Sequence, residues 1–196
     1  MNSLPHKIIF RGIIPYILYF FERYLKYRII DSWGVATLFK VKNKGSNVKF
    51  QGYSRIISPD KLIIGDNVRI GMNCYFHALG GITIGDNTIL SRNITIYSAN
   101  HNFKGDNYVP YDNKYNLKEV IIGSGVWIGM NVSIVPGVTI GDGAIVAMGT
   151  VVTKNIEKGQ IVGNQPIKIL KERNSMSKFY ESQKEGLIFS KTWPKL

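Results

Sequence analysis

Few side chains in this 196-residue chain can act as acid, base, nucleophile or metal ligand near neutral pH. The histidines are His6, His77 and His101, and Cys74 stands alone. An imidazole titrates near pH 6.5 and is suited to take a proton from an attacking hydroxyl, an effect typically worth about 10²–10⁴-fold. Three scattered histidines leave little material for a multi-histidine metal centre. A single cysteine excludes an internal disulfide framework and a four-thiolate zinc site, so no metal is expected. His101 lies in the segment Tyr97-Ser98-Ala99-Asn100-His101-Asn102-Phe103, and His77 precedes Ala78-Leu79-Gly80-Gly81. Taken alone, each reads equally well as a surface or structural histidine. The pairs Gly65-Asp66, Gly85-Asp86 and Gly141-Asp142 suit corner turns better than catalytic carboxylates.

The frame that must hold these residues is visible as a period of six. Large apolar residues recur at Ile64, Ile70 and Phe76, at Ile84, Leu90 and Ile96, and from Ile122 through Ile128, Ile134, Ile140 and Val146 to Val152. Four residues after each stands a small or β-branched side chain, such as Val68, Cys74, Thr88, Val126, Val132 and Ala144. Neither a helix at 3.6 nor an amphipathic strand at 2 explains this period. A coil with three flat sides does, with one large residue per side pointing inward and Gly or Asn at the corners. Stacked coils then bury a core that no single coil could bury, and Cys74 is expected to point into it.

The period breaks twice, at one corner, one coil apart. Two extra residues enter near Gly80 and Gly81, and a long segment without hexapeptide signal follows Ile96 until Ile122. His101 stands at the entrance of that segment. A long loop on a rigid scaffold is a usual place for function.

Over about residues 48–172 the chain resembles the hexapeptide-repeat acyltransferases, whose repeat is commonly [LIV]-[GAED]-X-X-[STAV]-X. The resemblance implies a left-handed parallel β-helix, against the usual right-handed crossover of parallel strands, and a homotrimer with active sites between subunits. The chain is strongly similar to the sugar O-acetyltransferase branch (maltose and galactoside acetyltransferases), and its loop segment resembles the enzymes that decorate bacterial surface polysaccharides. The similarity to that branch is carried by His101 before an extruded loop, by Trp127, by Val152-Thr153-Lys154 and by the closing Gly163-Asn164-Gln165-Pro166. It implies His101 as general base and the backbone N–H near Met130 as oxyanion donor. It also implies an acetyl-coenzyme A site lined by Trp127, Met130, Ala147, Met148, Thr153 and Lys154, with Lys168 and Lys171 toward the phosphates. The acceptor half departs from the pattern. Gly71 and Leu79 stand where that branch has an asparagine and a carboxylate, so its acceptors do not carry over. Candidate acceptor contacts are Gly71, His77, Leu79, Tyr108 and Tyr111.

The resulting organisation is a helix-rich segment over 1–47, the β-helix over 48–172 with an extruded loop at about 102–121, and a tail over 173–196. In the tail, Met176, Phe179, Tyr180 and Leu187 suit a short helix capping the last coil or docking on a neighbour. The N-terminal segment is apolar and basic, its longest uncharged run being Gly12 to Phe21, half of what a membrane-spanning helix needs. It reads either as a cap packed on the main domain or a neighbour, or as an interfacial segment with Arg11, Arg23, Lys26 and Arg28 toward anionic lipid. Pro15 is expected to break or kink any helix there.

The reading that unites these features is an acetyl-coenzyme A-dependent O-acetyltransferase acting on a saccharide, of the kind that decorates bacterial surface polysaccharide. It is placed in the cytoplasm with a peripheral contact to the inner membrane face. An N-acetyltransferase on an amino or nucleotide sugar and a non-enzymatic β-helix scaffold are the alternatives. A zinc carbonic anhydrase of this fold needs a third histidine in the repeat, which is missing. The net charge of +12 would suit nucleic acid, but the repeat carries no basic stripe and no nucleic-acid partner is expected.

Overall fold

The structure, a computed structural model, describes residues 13–104 and 108–189. Three sheets wind around one core as a left-handed parallel β-helix of about six turns. Side one stacks Asn43–Lys44, Leu62–Ile64, Ile82–Ile84, Val120–Ile122 and Thr139–Ile140. Side two stacks Lys49–Phe50, Arg69–Ile70, Ile89–Leu90, Trp127–Ile128, Ile145–Val146 and Gln160–Gly163. Side three stacks Arg55–Ile57, Tyr75–His77, Thr95–Tyr97, Ser133–Ile134 and Val151–Val152. The expected inward residues are all buried, and Cys74 with them, so the period of six is the period of burial. Each large aliphatic contributes on the order of 1.5–3 kcal/mol by leaving water.

Coil stacking dictates the corner chemistry. A Cβ at Gly65 would lie 2.2 Å from Asp86 Oδ1 in the coil above, so only glycine lets the two corners close. The aspartates of the Gly-Asp pairs are corner ties, as expected. The Asp66 N–H donates to Asp86 Oδ1 at 2.7 Å, and the Ser124 N–H to Asp142 Oδ1 at 2.9 Å. The backbone and hydroxyl donors of Ser46 hold the Asp66 carboxyl below its usual range.

The first coil begins at Asn43, ahead of the visible repeat. Lys44 occupies the position that Ile64 fills one coil later, so the hexapeptide signal is erased there. The Lys44 ammonium instead donates to the Val41 carbonyl at 2.6 Å. Below this coil lies helix α1, Ile14–Lys40. Pro15 does not break it but begins it, in the first turn, where a missing N–H costs nothing.

After the last side-two strand the chain reverses, and Lys168–Glu172 pairs antiparallel with Gln160–Gly163, closing that sheet. Helix α2, Met176–Lys184, then docks along a corner column and not over the last coil. Its Ser175 cap accepts the Lys178 N–H at 3.2 Å. In the lower coils this column holds Asn47, Asn67 and Asn87 in the left-handed region; in the upper coils it holds Gly125, Gly143 and Gly159. The switch has a steric cause: a Cβ at Gly125 would lie 2.3 Å from Phe179 of α2. Tyr180 donates to Asp142 at 3.2 Å, and Arg173 bonds the Gly143 carbonyl while stacking on Phe179. Burial raises the Asp142 carboxyl, but the Ser124 N–H, Tyr180 and Lys158 outweigh it and leave the group below its ordinary value. Leu187 lies beyond the helix and is exposed, while residues 190–196 of the tail lie outside the described residues.

Two expectations follow. Gly125→Asn keeps a residue tolerant of positive φ but collides with Phe179. It is expected to release α2 at a cost of about 1–3 kcal/mol, read as faster tryptic cleavage after Lys178 and Lys184 with the β-sheet circular dichroism unchanged. Burial pushes the Cys74 thiol up to about 11 from 9.0. Between those values the unfolded chain releases the proton first, so stability falls as pH rises through that window and is unaffected by this group below it. Urea melts from pH 8 to 11 should show Cys74→Ala lacking about 2–3 kcal/mol of the wild-type decline.

Candidate functional site

The corner between sides three and one is interrupted in each of the three lower coils. A short turn of 3-10 helix, Pro59–Lys61, fills it in the first, and Leu79 to Gly81 fill it in the second. Lys61 donates to the Leu79 carbonyl at 2.9 Å and ties the two together. The third coil extends a hairpin at this corner. Ala99–His101 pairs antiparallel with Tyr115–Leu117, and His101 sits opposite Tyr115. The excursion ends earlier than the expected residue 121. Val120 and Ile121 are already in side one, in register with Ile82 and Thr83. The hairpin is braced by Asn102, whose amide donates to Asp112 at 2.7 Å and whose carbonyl accepts the Asp112 N–H at 3.1 Å.

His101 is held by aromatic faces. Its ring lies 3.8 Å from that of Tyr111 at an interplanar angle of 17°, and 4.6 Å from that of Tyr115. Its Nδ1 is buried and has no hydrogen-bond partner among the described residues. Among the described residues no carboxylate bonds the ring, and two tyrosines set its plane. His77 repeats the arrangement one coil below: it stacks on Tyr97 at 5.2 Å, stands 6.3 Å from Tyr115, and its Nδ1 is likewise buried and unpartnered. Tyr75 extends the row to Tyr97 at 5.5 Å. Burial and the neighbouring Tyr75 both raise the Tyr97 phenol above its ordinary value.

Tyr75, Tyr97 and Tyr115 carry no hexapeptide signal, because they point outward. Their one trace in the sequence is the 20-residue offset that pairs His77 with Tyr97. Tyr111, expected as an acceptor contact, is placed against His101, while Tyr108 is exposed near it in sequence. Gly71 is a close-packed corner, where a Cβ would lie 2.5 Å from the Arg92 nitrogen; no larger side chain fits there. Leu79 is half-buried and serves Lys61 through its carbonyl.

A groove of 660 Å³ runs beside the hairpin, lined by Asn100, Phe103, Lys104, Tyr115, Asn116 and Pro136 among others. Apolar walls with a few amide and ammonium donors suit a polar organic ligand.

The second expected group stands elsewhere. Trp127 lies on the outer face of side two, 53% exposed, in register with Ile89 and Ile145. Met130 and Met148 occupy the corner between sides two and three in successive coils, linked by the Gly149 N–H to the Met130 carbonyl at 2.9 Å. Met148 is 63% exposed, and Ala147 is half-buried beside it. Thr153 and Lys154 are exposed at the corner between sides three and one, above the hairpin, and Lys168 and Lys171 lie on the exposed closing strand. One chain therefore brings His101, Thr153 and Lys154 to one corner column and Met130 and Met148 to another, with Trp127 on the adjoining face of side two. Trp127 and Met148 present exposed apolar surface, and Thr153, Lys154, Lys168 and Lys171 are exposed hydrogen-bond donors. Among the described residues no group of three or more His, Cys, Asp or Glu could hold a metal ion.

The sequence matches two family descriptions, "Bacterial transferase hexapeptide (six repeats)" over residues 119–154 and "Hexapeptide repeat of succinyl-transferase" over 61–98. A maltose O-acetyltransferase structure from Clostridium difficile 630 is 31% identical, with a TM-score of 0.58 over 68% of each chain. A hexapeptide-repeat acetyltransferase from Vibrio cholerae, solved with acetyl coenzyme A, is 29% identical, with a TM-score of 0.66 over 77% of this chain and 84% of that one. The galactoside O-acetyltransferase of Escherichia coli (strain K12) is 33% identical over 122 residues, and the match spans 59% of either protein.

The stacked rings make an expectation that needs no assay of chemistry. Ring-current shielding from Tyr111 should move the His101 imidazole protons upfield in proton NMR, which three histidines keep assignable. Tyr111→Leu is expected to reduce that shift to the part that Tyr115 supplies, Tyr111→Phe to preserve it, and the His77 resonances to stay in place in both.

Proposed function

The chain belongs to the hexapeptide-repeat acyltransferase family, and from that premise we propose that it transfers acetyl from acetyl-coenzyme A to a saccharide hydroxyl, with His101 as general base. The observation that carries the reading is the position of His101: a half-buried imidazole, held by two tyrosines, at the root of the hairpin that makes the longest interruption of the β-helix.

The imidazole takes the proton of the acceptor hydroxyl as its oxygen attacks. Acetyl-coenzyme A supplies a thioester carbonyl; a C–O bond forms, the C–S bond breaks, and the proton passes from His101 to the departing sulfur. The Met130 N–H makes no intrachain hydrogen bond among the described residues, which leaves it available to the developing oxyanion. Trp127, Ala147 and Met148 offer an apolar wall, and Thr153, Lys154, Lys168 and Lys171 offer donors for phosphate. Cys74 takes no part as a nucleophile, because it is buried in the core with its thiol pushed up to about 11.

Trp127, Met130 and Met148 stand away from the corner that holds His101, so a working site calls for a second copy that brings that surface to the first. A homotrimer supplies that at each of three interfaces. The groove of 660 Å³ beside the hairpin, with Asn100, Asn116 and Lys104, suits a sugar rich in hydroxyls. Gly71 and Leu79 withhold the polar side chains that would grip a small free sugar, which favours an acceptor held over a longer surface. We take that acceptor to be a bacterial surface polysaccharide or its precursor, met in the cytoplasm at the inner face of the membrane.

The test is release of coenzyme A thiol with a panel of sugars, amino sugars, nucleotide sugars and polysaccharide fragments, beside calorimetric binding of the donor. His101→Ala is expected to lose about 10²-fold or more in kcat while it still binds coenzyme A. Transfer confined to amino acceptors would replace the hydroxyl in this reading. A folded wild type that fails to bind coenzyme A would sink it.

A further inference from the structure

Helix α1 is the largest element that the catalytic reading leaves unused. Only its C-terminal part meets the β-helix. Thr37 is buried, Leu38 packs against the core, and Trp33 meets Tyr53 edge to face at 6.3 Å. From Ile13 to Ile29 most of the described side chains stand in solvent. Tyr16 is 72% exposed, and Leu18, Phe20 and Phe21 are each 60% or more. The exposure is not confined to one narrow stripe: at about 100° per residue, exposed Tyr16, Ile17, Leu18, Tyr19, Phe20 and Phe21 spread over most of the circumference. A helix that is apolar all round is ordinarily surrounded by apolar material.

Two occupants fit such a surface, a second copy of this helix or the acyl region of a bilayer, and charge decides between them. From Lys7 to Lys44 the chain has eight basic residues against Glu22 and Asp31. Copies packed side by side would bring like charge together, whereas an anionic lipid surface attracts it, at about 1 kcal/mol per basic residue near the headgroups. The pattern along the chain agrees. The uncharged run from Gly12 to Phe21 is bounded by Arg11 and Arg23, the first of which lies outside the described residues. Nine residues of helix, Ile13 to Phe21, are about 13 Å long at 1.5 Å per residue. No helix among the described residues is long and apolar enough to cross a membrane. Tyr24 and Trp33, half-exposed, are the amphipathic rings that favour a headgroup layer.

We infer that α1 docks the protein on an anionic bilayer surface, with the run from Ile13 to Phe21 immersed at the headgroup–acyl boundary and the first coil of the β-helix held beside the membrane. The inference supplies the partner that a membrane-borne acceptor requires, and it is read without any acetyl transfer.

The test is co-sedimentation of the full chain with vesicles of phosphatidylcholine alone or with phosphatidylglycerol. Binding to the anionic vesicles is expected, weakened by raised salt, and at least about tenfold weaker in the triple variant Leu18→Ser, Phe20→Ser, Phe21→Ser. These side chains are exposed, so circular dichroism should be unchanged. Sedimentation velocity on both proteins separates the other occupant. A variant that binds vesicles like the wild type but loses a subunit contact assigns the helix to a second copy and overturns the inference. So does a wild type that ignores anionic vesicles.

Discussion

Everything in this protein rests on how closely one coil can sit on the next. The sheets run parallel and in register, so each corner must repeat at strand spacing with no side chain between the backbones. Gly65 and Gly85 permit that approach, Asp66 and Asp86 stitch it with N–H bonds, and Ile64 and Ile84 fill the interior beneath it. A coil that obeys these limits has no freedom to hold a ligand. Function is confined to places where the stacking rule is suspended.

The suspension is local and ordered. At the corner between sides three and one the lower coils admit two extra residues each, and the third admits a hairpin. The hairpin is a structured excursion: its strands pair, Asn102 and Asp112 lock its base, and the ring faces of Tyr111 and Tyr115 fix His101. A histidine set by stacking leaves its buried Nδ1 without a hydrogen-bond partner among the described residues. The regular coils above admit no such excursion; they carry Trp127 exposed on the face of side two and Met148 exposed at its corner with side three.

The ends of the chain follow different physics from the repeat. Helix α2 is accommodated because the corner column changes from asparagine to glycine in the coils it covers, so packing in three dimensions left a readable mark in one. Helix α1 leaves a smaller mark, Gly52, where a Cβ would lie 3.1 Å from Ile30, because most of the helix touches no coil. Its meaning lies in its surface composition, apolar at the tip and basic around it.

The sequence by itself determined the fold. A six-residue period of buried aliphatics is a local rule repeated many times, and each repetition specifies the same inward side. It also determined that His101 marks the entrance to the departure from the rule, that Cys74 is core and that the Gly-Asp pairs are corners. Tertiary structure alone decided the rest. Lys44 hid the first coil because a lysine can satisfy its ammonium on a nearby carbonyl, and Pro15 begins α1 because position within a helix decides whether a missing N–H matters. The tyrosine clamp joins residues 10 and 14 apart across a hairpin with no periodicity, so spacing could not foretell it. The separation of His101 at one corner from Met130 at another and Trp127 on a flat side is a property of the prism's cross-section, which a linear pattern of sixes does not contain.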